Sequence, residues 1–474
     1  MKKRIVTLLI ALAMLATCFA GCEKKTAGGD GLYTVDWYFV CNEVPKDLDS
    51  VEAKVNEYLK DKIGAKLKMH YLTWSQYEEK LNMMNAGGEK YDICWTCGDS
   101  YKLNVAKRAY LETNDLMDKY APKTKEIVGE EFLKGSQING KNYGIPANKD
   151  KGHSSGILYR KDLAEKYNLV EKLNNIKSFD DLYPIMDVIK KNEPDIETLK
   201  EAGPASYKDL EFFDFFGFPA GIYLDDPDNV VNYVESPEYK AACEKSRYNL
   251  KNKYSLLESE QSTETHFIEI CGLKAGKDKE LNGSRKYEWV QVELTDRYMT
   301  SGDTMGSIMA ISRTSENPEK AMQFLELFNT DKYLNNLIVF GVEGKHYKKL
   351  DDNTIEPIKN SGYGNAGMQW VFGNTFINYN VKGEDPNRVK EMEAFNDTLI
   401  PAADLGFVFD SENVKTEVGA CQNVRKEYET RLANGSEDVD KILPEYISKL
   451  KAAGSERIVN EAKKQYNKWK KSNK

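Results

Sequence analysis

YTVDWYFV at residues 33–40, AKLKMHY at residues 65–71 and YDI at residues 91–93 are the three short stretches that decide the fold. In the first two, apolar and polar residues alternate with the period of a half-buried strand. The segments between them carry apolar residues three or four positions apart, and they end at Gly64 and Gly87. That spacing is typical of a helix that buries one face. The sequence therefore predicts a β-α-β-α-β run with parallel strands and right-handed crossovers.

The carboxyl ends of these strands are the predicted ligand-binding edge. In open parallel sheets, ligands bind beyond the carboxyl ends of the strands. Here those ends lie at residues 37–42, 71–74 and 95–100, and all three stretches combine aromatic with polar residues.

The remainder of the chain continues the mixture of strands and helices. Residues 157–159 predict a further strand, and prolines that follow a good N-cap predict helix starts at Pro237 and Pro318. Residues 412–474 are predicted to be mostly helical. A body of about 440 residues is too long for a single small core. Because no Gly/Ser/Pro-rich linker divides it, we expect lobes that are joined by several ordered crossings.

The N-terminus predicts export and lipid attachment. Residues 2–4 are basic, and the apolar run at residues 5–15 is too short to span a membrane. The sequence Ala-Gly-Cys that ends at Cys22 resembles a bacterial lipobox, in which the cysteine is diacylated after residues 1–21 are removed. An ordinary signal peptide that is cut elsewhere is the alternative.

Residues 22–31 predict a flexible tether, because they contain glycine and charged residues but too few apolar side chains to form a core. No later segment approaches the roughly 20 apolar residues of a membrane-spanning helix. The tether would therefore hold the body outside the cell membrane through lipid alone.

Composition argues against several other functions. The net charge is −8 and the lysines are spread along the chain, whereas nucleic acid binding needs a concentrated basic face. The four histidines are widely scattered and no motif predicts a metal or a cofactor. Cys94 and Cys97 form the one close cysteine pair, which is compatible with a local disulfide or with two free thiols.

Five motifs occur in a fixed order along the chain. They are GEKYDI at 88–93, NGKNYGIP at 139–146, LYRKDL at 158–163, AISRTSENPEKAM at 310–322 and GKHY at 344–347. Together they resemble the extracellular solute-binding proteins of ABC importers, close to the LipO-like lipoproteins. The part from about residue 341 resembles the domain of unassigned function that ends proteins of this subfamily.

The resemblance implies an α/β fold of two lobes, of the type II periplasmic binding-protein kind, with the ligand cleft between the lobes. Lobe 1 would comprise residues 32–146 and part of residues 299–345, and lobe 2 would comprise residues 147–298. Residues 346–474 would add C-terminal helices that pack mainly on lobe 2.

The resemblance also implies a function without catalysis. Such a protein is a monomer that captures a small solute and delivers it to the permease subunits of an importer at the extracellular face of the cell membrane. The sequence agrees, because it has no Walker A loop, no GxSxG and no zincin motif.

An oligosaccharide is the predicted ligand, because sugars present apolar C–H faces to aromatic rings and hydroxyl groups to Asp and Asn. The candidate ligand contacts are aromatic or polar residues near strand ends or in glycine-rich segments. They are Trp37, Asn42, Trp74, Trp95, Asp99, Tyr159, Trp289, Tyr363, Trp370 and Asn374.

Each candidate has a structural alternative. Trp37 lies in mid-strand and is a candidate for the core, and Trp74 follows a predicted N-cap and is a candidate packing residue. Asp99 and Asn42 suit a cap or an exposed loop equally well. Tyr159 lies near the predicted crossing between lobes, where its ring faces either the cleft or a core.

Two other functions fit parts of the sequence. A partner that presents a ligand to a membrane sensor kinase would use the same binding chemistry. A secreted glycosidase would need a pair of carboxyl groups, but no pair stands out, and the α/β alternation is not repeated eight times as a barrel requires. A peptide or an anionic polymer is the alternative ligand.

Overall fold

The computed structural model describes residues 31–472 except residues 202, 209–210, 216–219, 257–265, 283–284, 366 and 434. The predicted signal peptide, the lipobox with Cys22 and nearly all of the tether lie outside the described residues. Among the helices that are described, none combines the length and the apolar character that a membrane crossing requires.

The strands are short and are distributed along the whole chain. They are β1 (Tyr33–Cys41), β2 (Ala65–Thr73), β3 (Ile93–Thr96), β4 (Gly144–Pro146), β5 (Ser154–Arg160), β6 (Glu197–Lys200), β7 (Phe212–Asp214), β8 (Ala220–Tyr223), β9 (Val231–Asn232), β10 (His266–Leu273), β11 (Trp289–Glu293), β12 (Tyr298–Met299), β13 (Ile308–Ile311), β14 (Tyr347–Lys349), β15 (Thr354–Pro357), β16 (Asn380–Val381) and β17 (Ile400–Pro401).

The α-helices alternate with these strands and dominate the C-terminus. They are α1 (Leu48–Ile63), α2 (Trp74–Gly87), α3 (Gly98–Ala106), α4 (Asn114–Tyr120), α5 (Pro122–Val128), α6 (Glu130–Gly135), α7 (Lys161–Lys166), α8 (Val170–Asn174), α9 (Tyr183–Asn192), α10 (Pro204–Lys208), α11 (Pro237–Lys251), α12 (Lys277–Asn282), α13 (Ser301–Thr304), α14 (Pro318–Thr330), α15 (Lys332–Phe340), α16 (Arg388–Asn396), α17 (Lys415–Ala433), α18 (Val439–Ala452) and α19 (Ser455–Ser472).

Lobe 1 is built on a five-stranded sheet of order β2-β1-β3-β13-β4. Strands β1, β2 and β3 are parallel, as the sequence predicts, and β13 runs antiparallel to both β3 and β4. Helix α1 ends where Gly64 takes a positive φ of 59°, a conformation that glycine adopts at little cost. This turn returns the chain directly into β2, so that the carboxyl ends of β1, β2 and β3 lie along one edge.

Lobe 2 is built on a four-stranded sheet of order β11-β5-β10-β6. Strand β5 is antiparallel to β10 and β11, and β10 is parallel to β6. Helices α7 to α9 cover this sheet and contribute Leu163, Leu173 and Ile185 to its core.

The C-terminal segment is divided between two cores. Its last three helices pack against the β7-β8-β9 sheet, where Phe212 and Tyr233 share a buried cluster with Tyr446 and Tyr466. The part with β14 to β16 packs on the lobe 1 core instead. This differs from the prediction for residues 346–381. The reason is a set of aromatic and aliphatic side chains that are buried in the lobe 1 core: Tyr347, Ile355, Tyr363, Phe372 and Tyr379.

Three crossings join the lobes within the described residues, between β4 and β5, between β11 and β13, and after β16. The crossings are hydrogen-bonded to one another. Strand β12 pairs in parallel with β17, and His153 forms a β-bridge with Tyr298. The crossing between β4 and β5 is also tied to the lobe 1 segment before β16, where Asn148 N donates to Gly373 O at 2.8 Å. The connection between the lobes is therefore a ribbon of several strands.

Candidate functional site

Three of the predicted tryptophans meet at the carboxyl edge of the lobe 1 sheet. Trp74 follows β2, Trp95 lies in β3, and Trp370 lies in a 3-10 helix at Gln369–Val371. The ring centroids are 5.5 Å apart for Trp74 and Trp95, 6.0 Å for Trp74 and Trp370, and 6.1 Å for Trp95 and Trp370. Trp74 and Trp370 are nearly parallel, at 17°, and Trp95 is edge-on to both. We call these three residues the tryptophan cluster.

Hydrogen bonds fix the rings of the cluster. The Trp74 indole donates from Nε1 to Asn42 Oδ1 at 2.9 Å, and the Trp95 indole donates from Nε1 to Ser307 Oγ at 3.0 Å. Asn42 is therefore an orienting partner of Trp74, a role that the sequence did not single out. Because their N–H groups are satisfied within the protein, the two rings offer π-faces rather than donors to a ligand.

The cluster combines a buried base with an exposed surface. Trp95 is 3% exposed, whereas Trp74 is 45% exposed and is one of the few large apolar side chains that face solvent. A flat, exposed ring that is held by buried neighbours is suited to stacking on the C–H face of a sugar. The ligand-binding role of these residues stays a prediction.

A cavity of about 290 Å³ lies beside this edge, between the two lobes. Lobe 1 contributes Gly98, Lys102 and Met305 to its wall. The facing wall is formed by the aromatic turn after β7 and by the segment that carries Asp404 and Phe407. We call this space the interlobe cavity.

Asp404 is the one residue of the cavity wall with an unsatisfied buried carboxyl oxygen among the residues that the structure describes. Its side chain is 6% exposed, and Oδ1 has no hydrogen-bond partner there. Burial, together with the nearby carboxylate of Asp214, raises the pKa of the Asp404 carboxyl to about 7. Asp214 is an ion-pair partner of Lys208 at 2.5 Å and thus differs from Asp404.

Asp99 lies in the first turn of α3 and is not among the residues that line this cavity. Its side chain is 75% exposed and pairs with Lys102 at 2.9 Å. The structure therefore matches the surface-carboxylate alternative, because the helix start turns this side chain towards solvent.

Trp37 and Trp289 are corrections to the predicted site. Both side chains are fully buried. Trp37 packs in the lobe 1 core against Phe39, Phe324 and Phe328, with centroids 4.4 to 5.4 Å away. Trp289 lies beside His266 in lobe 2. Neither ring reaches the cleft, because both point into the face of a sheet that helices cover.

Tyr159, Tyr363 and Asn374 are also buried and satisfied by the protein. The Tyr159 hydroxyl donates to Asn174 Oδ1 at 3.2 Å, and the Tyr363 hydroxyl donates to Ile338 O at 2.7 Å. Asn374 accepts from Asn148 Nδ2 at 2.9 Å and also accepts from the backbone N–H of Phe376. Tyr159 thus faces a core, and Asn374 joins the crossing between β4 and β5 to the lobe 1 segment that precedes β16.

The resemblance implied a cleft between the lobes, but the residues that line the interlobe cavity were missed by sequence reasoning. Asp404 follows no motif, and its electrostatic interaction with Asp214 joins positions far apart in the chain. One signal was present: residues 211–216 read EFFDFF, an acid between two pairs of aromatic residues. Such a cluster has the composition of a sugar-binding wall, and Phe213 and Phe215 do line the cavity.

The two close cysteines are free thiols. Burial raises the pKa of Cys94 to about 12 and that of Cys97 to about 11, so neither forms the reactive thiolate of a redox motif. This decides between the two alternatives that the spacing left open. Within the described part of the chain, no group of His, Cys, Asp and Glu is arranged to hold a metal ion.

Two family models match this chain. Residues 53–270 match the model described as bacterial extracellular solute-binding protein, and residues 404–471 match the domain of unknown function DUF3502. A carbohydrate ABC transporter substrate-binding protein of Streptococcus pneumoniae serotype 4 is 30% identical over 500 residues, which cover 98% of this chain and 97% of that protein.

Solved structures agree with this match. The N-glycan transport solute-binding protein NgtS of Streptococcus pneumoniae is 26% identical, and its structure superposes with a TM-score of 0.82 over 93% of this chain and 100% of that one. NgtS structures with Man1GlcNAc and Man5GlcNAc superpose with TM-scores of 0.72 and 0.70. The two-lobe fold predicted from the sequence is thus confirmed.

The sequence motifs predicted a close relation to LipO, but this chain matches LipO less well than it matches the pneumococcal proteins. Lipoprotein LipO of Bacillus subtilis is 24% identical over 198 residues, which cover 41% of this chain and 37% of LipO. The shared motifs therefore mark the wider family more than this subfamily.

Proposed function

Because this chain belongs to the bacterial extracellular solute-binding proteins, we propose that it captures a neutral oligosaccharide between its lobes and delivers it to an ABC importer. It is a binding protein and not an enzyme, which removes the glycosidase alternative. Its place of action is extracellular or at the membrane.

The observation that carries the sugar assignment is the tryptophan cluster. It lies where ligands of parallel sheets bind, at the carboxyl ends of β2 and β3. It presents an exposed ring, Trp74, on a buried support, Trp95. The related protein NgtS, whose structures hold mannose-containing oligosaccharides, supports the same ligand class for this chain.

Closure of the lobes is the proposed way in which binding is signalled to the importer. A ligand that contacts both lobes favours the closed arrangement by its extra affinity for that state. The multi-strand ribbon between β4 and β5, and between β12 and β17, is suited to a hinge that bends without separating the lobes.

Attachment to the membrane is proposed to occur through diacylated Cys22, with residues 22–31 as the tether. The lobes are proposed to have the limits given by the sequence, apart from residues 346–381, and the protein is proposed to act as a monomer. Each of these assignments rests on the N-terminal motif or on the habits of the family.

Thermal unfolding with a panel of ligands tests the proposed function. The protein from residue 30 onwards is heated with neutral oligosaccharides, peptides and anionic glycans. A ligand that binds only the folded state adds about 2.7 kcal/mol of stability at a hundred times its dissociation constant. We expect the unfolding midpoint to rise with a neutral oligosaccharide. A rise with a peptide alone would contradict the sugar assignment.

Two variants locate the site in the same experiment. Trp74→Ala removes the exposed ring of the cluster and is expected to reduce the rise strongly. Tyr333→Ala is the matched control, because Tyr333 is a similarly exposed aromatic residue on α15 that packs beside Tyr58. The control is expected to keep the rise in full.

A further inference from the structure

Residues 149–151 lie in the crossing between β4 and β5, and one of their side chains reaches back to lobe 1. Lys151 Nζ donates to Val128 O at 2.7 Å and to Ile127 O at 3.2 Å. Both acceptors belong to the last turn of α5, where a helix leaves carbonyl oxygens without an intrahelical partner. The partial negative charge of a helix C-terminus also favours an ammonium group. Lys151 therefore ties this crossing to lobe 1.

The Lys151 ammonium is partly shielded from water where it makes these bonds. It lies 5.7 Å from the ring centroid of Phe132 in α6. Burial lowers the pKa of Lys151, and the Asp397 carboxylate opposes this shift. A charge-assisted hydrogen bond in such a place is stronger than one at the surface, because water competes less for the donor.

The backbone of the same segment is held by Asn396, the last residue of α16. Asn396 Oδ1 accepts from Lys151 N at 2.9 Å, and Asn396 Nδ2 donates to Lys149 O at 3.1 Å. One amide side chain thus pairs with the crossing as a neighbouring strand would. These two bonds fix the position of residues 149–151 relative to α16.

Helix α16 is in turn bound to lobe 2. Lys279 of α12 forms ion pairs with Asp385, just before α16, and with Glu391 within it, at 2.6 Å each. The Arg297 guanidinium, in the crossing after β11, lies 4.6 Å from the ring centroid of Phe395. We therefore expect α16 to follow lobe 2 when the lobes move.

These contacts form a continuous path between the lobes. The path runs from α5 through the Lys151 side chain, the backbone of residues 149–151 and the Asn396 side chain to α16. If lobe 2 carries residues 149–151 about 1 Å away from α5, both Lys151 bonds become longer than a hydrogen bond allows. The structure superposes less well on the two NgtS sugar complexes than on the first NgtS structure. The path thus occurs in an arrangement that differs from those complexes.

We propose that Lys151 and Asn396 form a hinge latch, which holds the lobes in the arrangement described here until a solute is captured. Closure breaks the Lys151 bonds to α5. The latch keeps the closed state a minor one in the absence of ligand, and it lowers the apparent affinity by the same factor. Both are positioning residues, because they act on the lobes and not on the solute. This inference rests on the proposed capture between the lobes and assigns the control of its affinity.

The first test counts the two arrangements without any ligand, by single-molecule energy transfer between dyes on the two lobes. Because the chain has free thiols such as Cys97 and Cys271, the dyes are attached to keto-bearing unnatural residues. These replace two exposed lysines, Lys107 in lobe 1 and Lys172 in lobe 2. Lys151→Met keeps the apolar stem and removes the ammonium. We expect it to raise the ratio of the minor to the major population about tenfold, as the loss of one charge-assisted hydrogen bond implies.

Titration calorimetry with Man1GlcNAc and Man5GlcNAc is the second readout. Lys151→Met is expected to bind a probe up to about tenfold more tightly than wild type, because more molecules are already closed. The probe should also fill the population that Lys151→Met enriches. A purely structural role of Lys151 would lower the stability of the protein and would not raise its affinity.

Lys149→Met is the matched control, because the Lys149 ammonium pairs with Asp150 of the same crossing, at 3.3 Å, and not with a lobe. It should behave like wild type in both tests. Asn396→Ala cuts the other end of the path and should also raise the minor population. Combined with Lys151→Met it should add little, because the two residues act in series. Circular dichroism of each variant shows that it is folded.

The outcomes separate this inference from the proposed function. An unchanged or smaller minor population in folded Lys151→Met, or the same gain in Lys149→Met, would overturn the latch. If Lys151→Met does not fold, Asn396→Ala decides in the same way. If sugars bind but the populations do not change, the oligosaccharide function stands and the latch fails. If no sugar of the wider panel binds, that function fails, and the populations without ligand still decide whether the latch exists.

Discussion

The interior of the lobe 1 sheet and its carboxyl edge hold chemically identical side chains in opposite environments. Trp37 lies in the middle of β1 and is fully buried among phenylalanines, whereas Trp74 lies directly after β2 and is 45% exposed. The strands that carry them are neighbours, paired residue by residue. A few residues along the strand direction therefore decide whether a tryptophan stabilises the fold or faces the cleft.

The comparison also shows how the edge is supported. Trp95, in β3, is as buried as a core residue but touches the exposed Trp74 ring. It thus belongs to both regions. Residues of this kind hold a binding surface rigid, which lowers the entropy cost of binding.

Removal of the buried ring is expected to have the largest effect. Trp37→Ala leaves a large cavity among Phe39, Phe324 and Phe328 and should lower the free energy of unfolding by about 3–5 kcal/mol. Urea denaturation measures this change. Sugar affinity of the folded fraction should stay the same. A loss of affinity without a loss of stability would show that Trp37 is a ligand contact and not a core residue.

The second largest effect concerns Asp404, which is buried but faces the cleft. Its folded-state pKa is raised from 3.8 to about 7, so the folded protein binds more protons than the unfolded chain between these values. Stability from this group therefore falls as pH rises from about 4 to about 7. Asp404→Asn should be more stable than wild type at pH 8, by up to about 4 kcal/mol, and similar to it at pH 4.

Urea denaturation of both proteins at the two pH values checks the expected difference. Asp410→Asn, at an exposed aspartate of the same segment, controls for the loss of one negative charge at the surface. An equal difference between Asp404→Asn and wild type at pH 4 and pH 8 would mean that the carboxyl does not titrate in this range.

Removal of the exposed ring is expected to lower ligand affinity more than stability, which is the opposite of the effect of removing the buried ring. Trp74→Ala should weaken oligosaccharide binding by about 2 kcal/mol, as is usual for an aromatic anchor, while unfolding changes by less than about 1 kcal/mol. Calorimetry and urea denaturation of the same sample measure both quantities. Trp74→Phe should retain part of the affinity. Equal losses of stability and affinity would show that Trp74 is a packing residue.

The smallest effect is expected for a predicted contact that the structure places in a core. Tyr159→Phe removes one hydrogen bond, to Asn174, and keeps the ring. The unfolding free energy should fall by about 0.5–1.5 kcal/mol and sugar affinity should not change. A change in affinity that exceeds the change in stability would show that Tyr159 contacts the ligand in the cleft.

The local pattern predicts much of lobe 1. Alternation in β1 and β2, helical spacing in α1, and the glycine stop at Gly64 are local signals, and each element occurs where they indicate. The position of β13 between β3 and β4 is not a local signal, because it depends on pairing with strands about 200 residues earlier in the chain.

The candidate site was predictable only in part. The nearness of Trp74 and Trp95 follows from parallel strands that end at the same edge. Trp370 reaches them through a long-range fold that no spacing encodes. Burial of Trp289 and Tyr363 depends on which helices cover them, and the environment of Asp404 depends on a partner lobe. Sequence gives residue type and periodicity, whereas exposure is a property of the assembled lobes.

The crossings between lobes have a consequence for the order of folding. Lobe 1 needs β1 to β4 together with β13 and residues up to Tyr379, and the core under the last three helices needs Phe212 together with Tyr466. Neither core is complete when the first half of the chain has been made. At about 5–20 residues per second, the strands of lobe 1 wait roughly 10–50 s for the segment that covers them. Lobe 1 therefore reaches its final packing only after Tyr379 has been made, whereas the core of the lobe 2 sheet is complete once Leu294 has been made.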